Sequence, residues 1–398
     1  MHVLIPYCTG FAGSSFYQDF SDSIGQALAE FGHSSERFEF GKIGEISSPE
    51  LGRLFQWGRD KRCDLVLDLC GWGYALSGAR YETAGLPGAS PFAGAAWAAL
   101  LFDQPQFQPL AAIQSARLLI AYPDATHPEL IRRICPHLQP SATAYVPPAT
   151  SAHNDRSPRG WREKSIELLY VGNFAPRALE RFWAGHPQER LFDAAAGLAD
   201  AQPSRPLLQV IDEAAHVLQV QPGGEELQGE ALLELLRSLE FARRHRWRHR
   251  LIMAVSRAGL PLTVVGNGWE RAGLPGAVTV QPEGDYAQFM ALLGRTKIAL
   301  DASTYVGGIN DRAFHAAING CGFITNADAA LRPVFGEDSG VGFYSMARCD
   351  EAAALLRDWL AQPAELRERA ERSRAITLSG HLWRHRVETL LRLASGAA

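Results

Sequence analysis

Residues 295–326 read RTKIALDASTYVGGINDRAFHAAINGCGFITN and contain the pattern from which the fold is predicted. An apolar run at 298–301 is followed by a loop with two adjacent glycines and a helical segment, which leads to a second apolar run at 322–325. Two strands joined through a helix pair in parallel, because the crossover returns the chain to the same end of the sheet. The stretch therefore predicts a βαβ unit of an α/β protein.

The beginning of the chain shows the same plan. A predicted strand at 2–7 precedes a glycine-bearing loop at 9–15, a helix at 16–31 and a strand at 35–40. Other apolar runs, typical of strands buried on both faces, lie at 64–70, 97–102, 116–121 and 142–147 in the first half and at 166–172, 262–266 and 278–280 in the second. Both halves thus favour parallel sheets flanked by helices.

A chain of 398 residues suits two α/β domains of similar size. The polar stretch 147–160 contains the breakers Pro-Pro, Asn-Asp and Ser-Pro-Arg-Gly and marks the predicted linker. We expect an N-terminal domain at 1–150 and a C-terminal domain at 160–375. Residues 177–259 predict a helical segment inside the second domain, and residues 376–398 predict a terminal helix that can pack back on the first.

Composition and charge exclude several classes of partner. The net charge of -4 provides no general attraction to nucleic acid or to anionic membranes. The basic run at 243–250 spreads around a helix at helical pitch, which predicts a solvated helix rather than a nucleic-acid site.

The six cysteines show no C-x-x-C pair, and no apolar stretch reaches 18 residues. We therefore expect reduced thiols, a cytoplasmic location and no integral membrane segment.

The motifs of the second half resemble, in order and spacing, the C-terminal domain of GT-B glycosyltransferases. The resemblance is strongest to the CgeB-like, group 1 (GT4-like) family, which carries the pattern Arg-x-Phe-Glu-Ala-x-Ala-x-Gly. The positions that match it are Arg312, Phe314, Ala316 and Gly320. Weaker matches are the Gly-x-x-Trp element at 266–269, the strand at 169–173, and the terminal helix with His381 and Arg386.

This resemblance implies GT-B architecture, with two Rossmann-like domains facing a central cleft and a helical insertion in the C-terminal domain. It implies that Arg312 faces the diphosphate or the sugar of a nucleotide-sugar donor. The other donor-binding positions that it implies are Gly172, Asn173, Gly266, Trp269, Tyr286, Gly307, Gly308 and His315. An arginine, glycine turns and helix N-termini can neutralise a diphosphate, so we expect neither a metal nor a cofactor.

Several of these positions have alternative interpretations. Arg312 can instead form an ion pair with Asp311 or Asp301. Trp269 can stack on the nucleobase or pack beneath its own loop. Asp285 and Tyr286 open a predicted helix, with Asp285 as its N-cap, or contact the base or ribose.

His315 departs from the family pattern, which has glutamate at this position. In the family that glutamate accepts hydrogen bonds from ribose hydroxyls. A neutral imidazole accepts one hydrogen bond and lacks the two oxygens of a carboxylate. The substitution leaves the donor nucleotide and the stereochemical outcome open.

The first half contains the candidate general base. Asp103 follows a buried strand and precedes Gln-Pro, where a carboxylate could take the proton of an acceptor hydroxyl. Three other aspartates compete with it, namely Asp19, Asp68 and Asp124, each of which can instead serve as a cap, a turn residue or a buried partner. The loop at 9–15 could contact the acceptor or simply join strand to helix.

The sequence thus predicts a metal-independent glycosyltransferase that moves a sugar from a nucleotide diphosphate sugar to an acceptor. That acceptor is a protein, a lipid-linked sugar or a small molecule. A GT-B-like scaffold without transfer activity and a nucleotide-sugar epimerase are the alternatives.

Overall fold

A computed structural model describes residues 1–9, 15–41, 47–77, 91–92, 94–156, 161–220, 227–276 and 278–396. The chain divides into two compact units. One consists of Met1–Ser151 with Leu382–Ala398, and the other consists of Ala152–His381. The first unit ends inside the stretch where the sequence predicts the linker.

The first unit is built on a six-stranded parallel sheet. Its elements in chain order are β1 (His2–Cys8), α1 (Ser15–Glu30), β2 (Ser34–Phe40), α2 (Ser48–Lys61), β3 (Leu65–Leu69), β4 (Ala96–Leu100), β5 (Leu118–Tyr122), α3 (His127–Ile134) and β6 (Ala142–Tyr145). The strand order is β2-β1-β3-β4-β5-β6. All residues of β3 and β4 are buried, because helices cover both faces of such sheets.

The second unit repeats this architecture. Its strands are β7 (Ile166–Val171), β8 (Leu262–Val265), β9 (Val278–Gln281), β10 (Thr296–Leu300), β11 (Gly322–Thr325) and β12 (Val341–Phe343). The parallel order is β12-β11-β10-β7-β8-β9. After β7 the chain adds β8 and β9 on one side of it. It then places β10 on the other side of β7 and adds β11 and β12 beyond β10. These two neighbouring strands therefore form the topological switch point, where ligands of doubly wound sheets bind.

Helices cover both faces of the second sheet. The helices described in the second unit are α4 (Glu189–Ala201), α5 (Leu207–Val217), α6 (Gly229–Arg257), α7 (Tyr286–Gly294), α8 (Arg312–Ile318), α9 (Asp328–Phe335), α10 (Asp350–Ala361) and α11 (Pro363–Gly380). Side chains of α6 and α10 share one apolar cluster with the sheet. Side chains of α7, α8 and α9 share the cluster on the other face.

The predicted strands are all present, and the predicted helical segment contains α4, α5 and α6. The expectation that the basic run at 243–250 is solvated is wrong for several of its residues. Arg243, His245 and Trp247 are buried, and Trp247 belongs to the apolar cluster that α6 shares with the sheet. The sequence interpretation also lacked β12, since a three-residue strand is too short for a periodic pattern.

The last helix, α12 (Trp383–Ser395), belongs to the first unit. The Trp383 ring lies 5.0 Å from the Phe20 ring and 5.8 Å from the Phe102 ring, centroid to centroid. Arg386 Nε donates to the carbonyl of Pro147 over 2.8 Å. Both ends of the chain thus contribute to one core. Among the described residues, no helix combines the length and apolar character needed to cross a bilayer.

The loop after β8 requires glycine at Gly268. Its φ is 89°, and a Cβ there would overlap the carbonyl oxygen of Phe174, which is backbone and cannot rotate away. Gly273 also has positive φ, at 62°, but a Cβ there would meet nothing within 4 Å. An alanine is therefore strained by the backbone angle at both positions, but its Cβ collides with a neighbouring atom only at Gly268.

We predict that Gly268→Ala lowers the free energy of unfolding by about 1–3 kcal/mol more than Gly273→Ala does, which is the usual cost of overpacking. Urea denaturation of both variants measures the difference. Equal losses would show that the collision is relieved and that only the backbone angle matters.

Candidate functional site

Polar groups gather where β7 and β10 end, at the switch point of the second sheet. Asp301 follows β10 directly and is fully buried. Its Oδ1 accepts a hydrogen bond from Arg312 Nη1 at 3.0 Å, and its Oδ2 accepts from Asn310 Nδ2 at 3.0 Å and Thr325 Oγ1 at 3.2 Å. The carboxylate thereby joins β11 to the start of α8. It also holds the Arg312 guanidinium at the strand ends.

Arg312 therefore forms the ion pair with Asp301 that was one of its two sequence interpretations. Its side chain nevertheless remains 30% exposed, whereas Asp301 is 1% exposed. Burial opposes the charge, but attraction to Asp301, Tyr170 and Asp311 raises the pKa of Arg312 above its usual value. A permanently charged guanidinium is thus anchored on one side and accessible on the other.

A second arginine, Arg248 of α6, reaches the same strand ends. Its Nη1 donates to the carbonyl of Asn173, just after β7, over 2.7 Å. Burial lowers the pKa of Arg248, and the positive charges of Arg312 and Arg244 act in the same direction. Positive charges that lie close together repel one another, and a bound anion would relieve that repulsion.

Two polar atoms at this place lack a partner among the residues that the structure describes. They are Arg248 Nε and the hydroxyl of Tyr170, and both are buried. Burial raises the pKa of Tyr170, while Arg248 and Arg312 oppose that shift. An unsatisfied buried donor costs about 1–3 kcal/mol. Arg248 Nε and the Tyr170 hydroxyl would therefore be stabilised by a ligand that offers hydrogen-bond acceptors.

The predicted glycine and asparagine positions join the ends of β7 and β8. A Cβ on Gly266 would lie 2.5 Å from the carbonyl oxygen of Gly172, so the two strand ends approach too closely for a side chain. Asn173 Oδ1 accepts from the amide of Asn267 at 2.8 Å, and both asparagine side chains donate to Glu283. The Asn173 side chain is therefore engaged within the protein, and only its carbonyl meets Arg248.

Trp269 does not present its ring to a ligand, and the expectation that it stacks on a nucleobase is wrong for this structure. The side chain is 1% exposed, and its ring stacks on Phe174 at 4.8 Å. Nε1 donates to the carbonyl of Gly172 over 2.7 Å. The indole packs beneath the loop after β8 and supports the end of β7.

His315 is likewise buried, with no exposed side-chain surface, so it cannot contact a donor as the resemblance implied. Its Nε2 lies 3.1 Å from Asp311 Oδ2 and 3.2 Å from the hydroxyl of Tyr286. Asn154 Nδ2 donates to the same hydroxyl over 3.1 Å. Tyr286 thus opens α7 and faces an internal polar chain.

The N-cap prediction for Asp285 is confirmed. Its carboxylate accepts from the amide of Gln288 at 2.8 Å, and the Gln288 side chain accepts from the Asp285 amide in return. Gly307 and Gly308 lie in the loop between β10 and α8, where Gly308 is buried and Gly307 is partly exposed.

In the first unit, Asp103 lies just after the carboxyl end of β4 and is half-buried. Its Oδ1 accepts from the amide of Gln104 at 2.8 Å. His127 lies in the same region, with Nε2 3.1 Å from Gln104 Oε1. Burial lowers the pKa of His127 to about 4, against the charges of Asp124 and Asp103. A neutral histidine therefore accompanies the candidate base, a neighbour that the sequence analysis did not identify.

Two of the competing aspartates have structural roles. Asp124 is 1% exposed and accepts from both the amide and the hydroxyl of Thr126, at the start of α3. Asp68 is fully buried and accepts from the amide of Gly73 at 2.8 Å and from Trp97 Nε1 at 3.0 Å. Residues 10–14 of the loop predicted to contact an acceptor lie outside the described residues.

Burial raises the pKa of Asp68 from 3.8 to about 7. The folded state then keeps a proton that the unfolded state has lost, so the contribution of Asp68 to stability falls as the pH rises between these values. We predict that the stability of the wild type relative to Asp68→Asn falls by about 2–3 kcal/mol from pH 5 to pH 8. Urea unfolding at each pH measures it, and a difference that does not change with pH would contradict the shift.

One family model and several solved structures are similar to this chain. Residues 243–392 match the family model described as glycosyl transferase-like. No curated protein matches the chain. A sucrose-phosphate synthase from Thermosynechococcus elongatus is similar over 100% of both chains, at 12% identity and a TM-score of 0.56. Anabaena Alr3699/HepE, solved with UDP and glucose, is similar over 100% of both chains, at 11% identity and a TM-score of 0.54.

An alpha-glucosyltransferase solved with UDP and a 13-mer DNA is similar over 99% of both chains, at 9% identity and a TM-score of 0.58. Two parallel α/β units that match such enzymes over the full length define the GT-B class. The chain thus has the GT-B fold, and its residues 243–392 match a glycosyl transferase-like family.

Proposed function

We propose that this glycosyltransferase takes its sugar from a nucleoside diphosphate sugar, whose diphosphate is bound by Arg248 and Arg312. The observation that carries the proposal is a pair of buried polar atoms without a partner at the ends of β7 and β10, next to the partly exposed guanidinium of Arg312. The charge of Arg312 there lowers the pKa of Arg248, and Arg248 Nε and the Tyr170 hydroxyl have no protein partner among the described residues.

The charges at this place suit a diphosphate leaving group. Asp301 neutralises one positive charge through its pair with Arg312, and Arg248 donates to the carbonyl of Asn173 as its one hydrogen bond within the described part of the chain. Guanidinium groups bind phosphate oxygens through charge-assisted hydrogen bonds, which are about twice as strong as neutral ones. We propose that these fixed charges stabilise the departing diphosphate without a metal ion.

The experiment is isothermal titration calorimetry with UDP, GDP, ADP, dTDP and CMP, each with and without magnesium. We expect one diphosphate to bind selectively and with the same affinity in the presence of a chelator. Binding that requires magnesium would argue against metal-independent neutralisation. Failure of every nucleotide to bind would argue against the donor site itself.

We predict that Arg248→Met and Arg312→Met each weaken binding of the preferred diphosphate by roughly 10- to 100-fold, because each removes a charge-assisted hydrogen bond. Arg250→Met is the matched control. Arg250 lies on the same helix and pairs with Asp200 at 3.1 Å, so its loss should leave affinity within about twofold. Circular dichroism confirms that each variant is folded, and equal losses in all three variants would contradict the assignment.

For the acceptor, we propose that Asp103 removes the proton from the attacking hydroxyl. Its support is its half-buried position just beyond the carboxyl end of β4, beside the neutral His127. Asp68 and Asp124 are bonded inside the protein and too buried to meet an acceptor. Among these three aspartates, the position of Asp103 is therefore the best suited to a base.

We predict that Asp103→Asn lowers kcat by roughly 100-fold or more, the usual contribution of a general base, while donor affinity stays unchanged. Asp60→Asn, on the exposed side of α2, should leave both quantities unaltered. Donor turnover and calorimetry measure the two effects. A loss of donor affinity in Asp103→Asn would point to a structural role instead.

A further inference from the structure

Aromatic residues lie just beyond the carboxyl ends of three strands of the first sheet. Phe16 is in the first turn of α1, which follows β1, while Trp72 comes shortly after β3 and Phe102 shortly after β4. The strands β1, β3 and β4 are neighbours in the sheet. Because parallel strands end at the same edge, the three rings come together there, on the edge where sheets of this kind bind ligands.

These rings belong to one cluster, the aromatic platform, which consists of Phe16, Tyr17, Phe20, Trp72 and Phe102. The Tyr17 ring lies 4.8 Å from the Trp72 ring and 5.9 Å from the Phe102 ring, centroid to centroid. The Phe20 ring lies 5.3 Å from the Phe16 ring and 5.2 Å from the Phe102 ring. Tyr17, Phe20 and Trp72 are buried, whereas Phe16 and Phe102 are partly exposed. Buried rings therefore support two rings that keep accessible surface.

The candidate base adjoins the aromatic platform. Asp103 is the residue after Phe102 and is half-buried. The Tyr17 hydroxyl lies 3.2 Å from Cys70 Sγ. Burial raises the pKa of the Cys70 thiol, and the charge of Asp103 acts in the same direction, so this carboxylate lies near the thiol that Tyr17 contacts. A ligand hydroxyl at Asp103 would therefore place the rest of the ligand beside the rings.

The combination of aromatic rings with a carboxylate selects one kind of alcohol. The face of an aromatic ring is electron-rich, so the polarised C–H groups of a sugar ring pack against it, while the hydroxyls at the rim of the sugar stay free to meet a base. A phenol ionises near pH 10 and depends far less on a base than a sugar hydroxyl does. An acyl chain needs a longer apolar surface than two partly exposed rings provide.

We propose that the acceptor carries a sugar residue, whose ring packs against Phe16 and Phe102 while one of its hydroxyls meets Asp103. This site rests on the proposed role of Asp103 as the base. It makes the acceptor a saccharide, and it makes Phe16 and Phe102 residues that determine acceptor specificity.

Saturation-transfer difference NMR tests the site without a transfer reaction. The probes are the methyl glycosides of glucose, galactose, mannose and N-acetylglucosamine, together with phenol and 1-octanol, each with and without a nucleoside diphosphate. We expect the wild type to transfer saturation to at least one methyl glycoside. Phe16→Leu keeps an apolar side chain but removes the ring, so it should raise the Kd of that glycoside by roughly 3- to 10-fold.

Phe31→Leu is the matched control, because Phe31 is exposed just past the other end of α1. It should leave the Kd of the glycoside within about twofold of the wild-type value. Phe102→Leu tests the second ring and should raise the Kd as Phe16→Leu does. Circular dichroism confirms that this variant is folded, since Phe102 also packs on Phe20.

Absence of saturation transfer to every methyl glycoside would overturn the saccharide site, and so would transfer to phenol or 1-octanol alone. Equal Kd values in Phe16→Leu, Phe102→Leu and Phe31→Leu would overturn it as well. If the glycoside binds as expected but Asp103→Asn retains turnover, the base assignment fails and the sugar site stands. Failure of every diphosphate to bind in calorimetry would count against the donor site alone.

Discussion

The buried carboxylate of Asp301 is the interaction on which the candidate site depends. It accepts hydrogen bonds from Arg312, Asn310 and Thr325. The backbone carbonyl of Asp301 accepts a further hydrogen bond from the hydroxyl of Tyr344 at 2.9 Å. A buried charge is stable only when its hydrogen bonds are satisfied, so Arg312, Asn310 and Thr325 must keep their positions around this carboxylate. The positions of the loop after β10 and the start of α8 follow from this one group.

The helical segment of the second unit takes part in the site through a second buried acid. Glu240 of α6 is fully buried, pairs with Arg243 at 2.7 Å and accepts from the hydroxyl of Thr304. Arg243 also donates to the Thr304 carbonyl over 3.0 Å. These bonds join α6 to the loop after β10, so Arg248, two turns along the same helix, is held at the strand ends. The helix therefore supplies charge to the site as well as packing against the sheet.

Sequence reasoning located most strands because both sheets are parallel and buried, which leaves near-continuous apolar runs such as those of β3 and β4. It identified Arg312 through spacing within a motif. It did not identify Arg248. This arginine lies in the basic run 243–250, whose charges are distributed around the helix and therefore predict a solvent-exposed helix. Its spacing of four from Arg244 was the available signal, since residues so spaced share one helix face.

The sequence by itself determined the α/β class, the two-unit plan and the strand ends at which polar residues gather, since these follow from the periodicity and order of local segments. Only the tertiary structure decided which polar side chains face the strand ends and which are buried. Trp269 and His315 are buried because Phe174 and Tyr286, respectively, approach them from other segments of the chain. Such contacts depend on packing between distant residues, which no local pattern records.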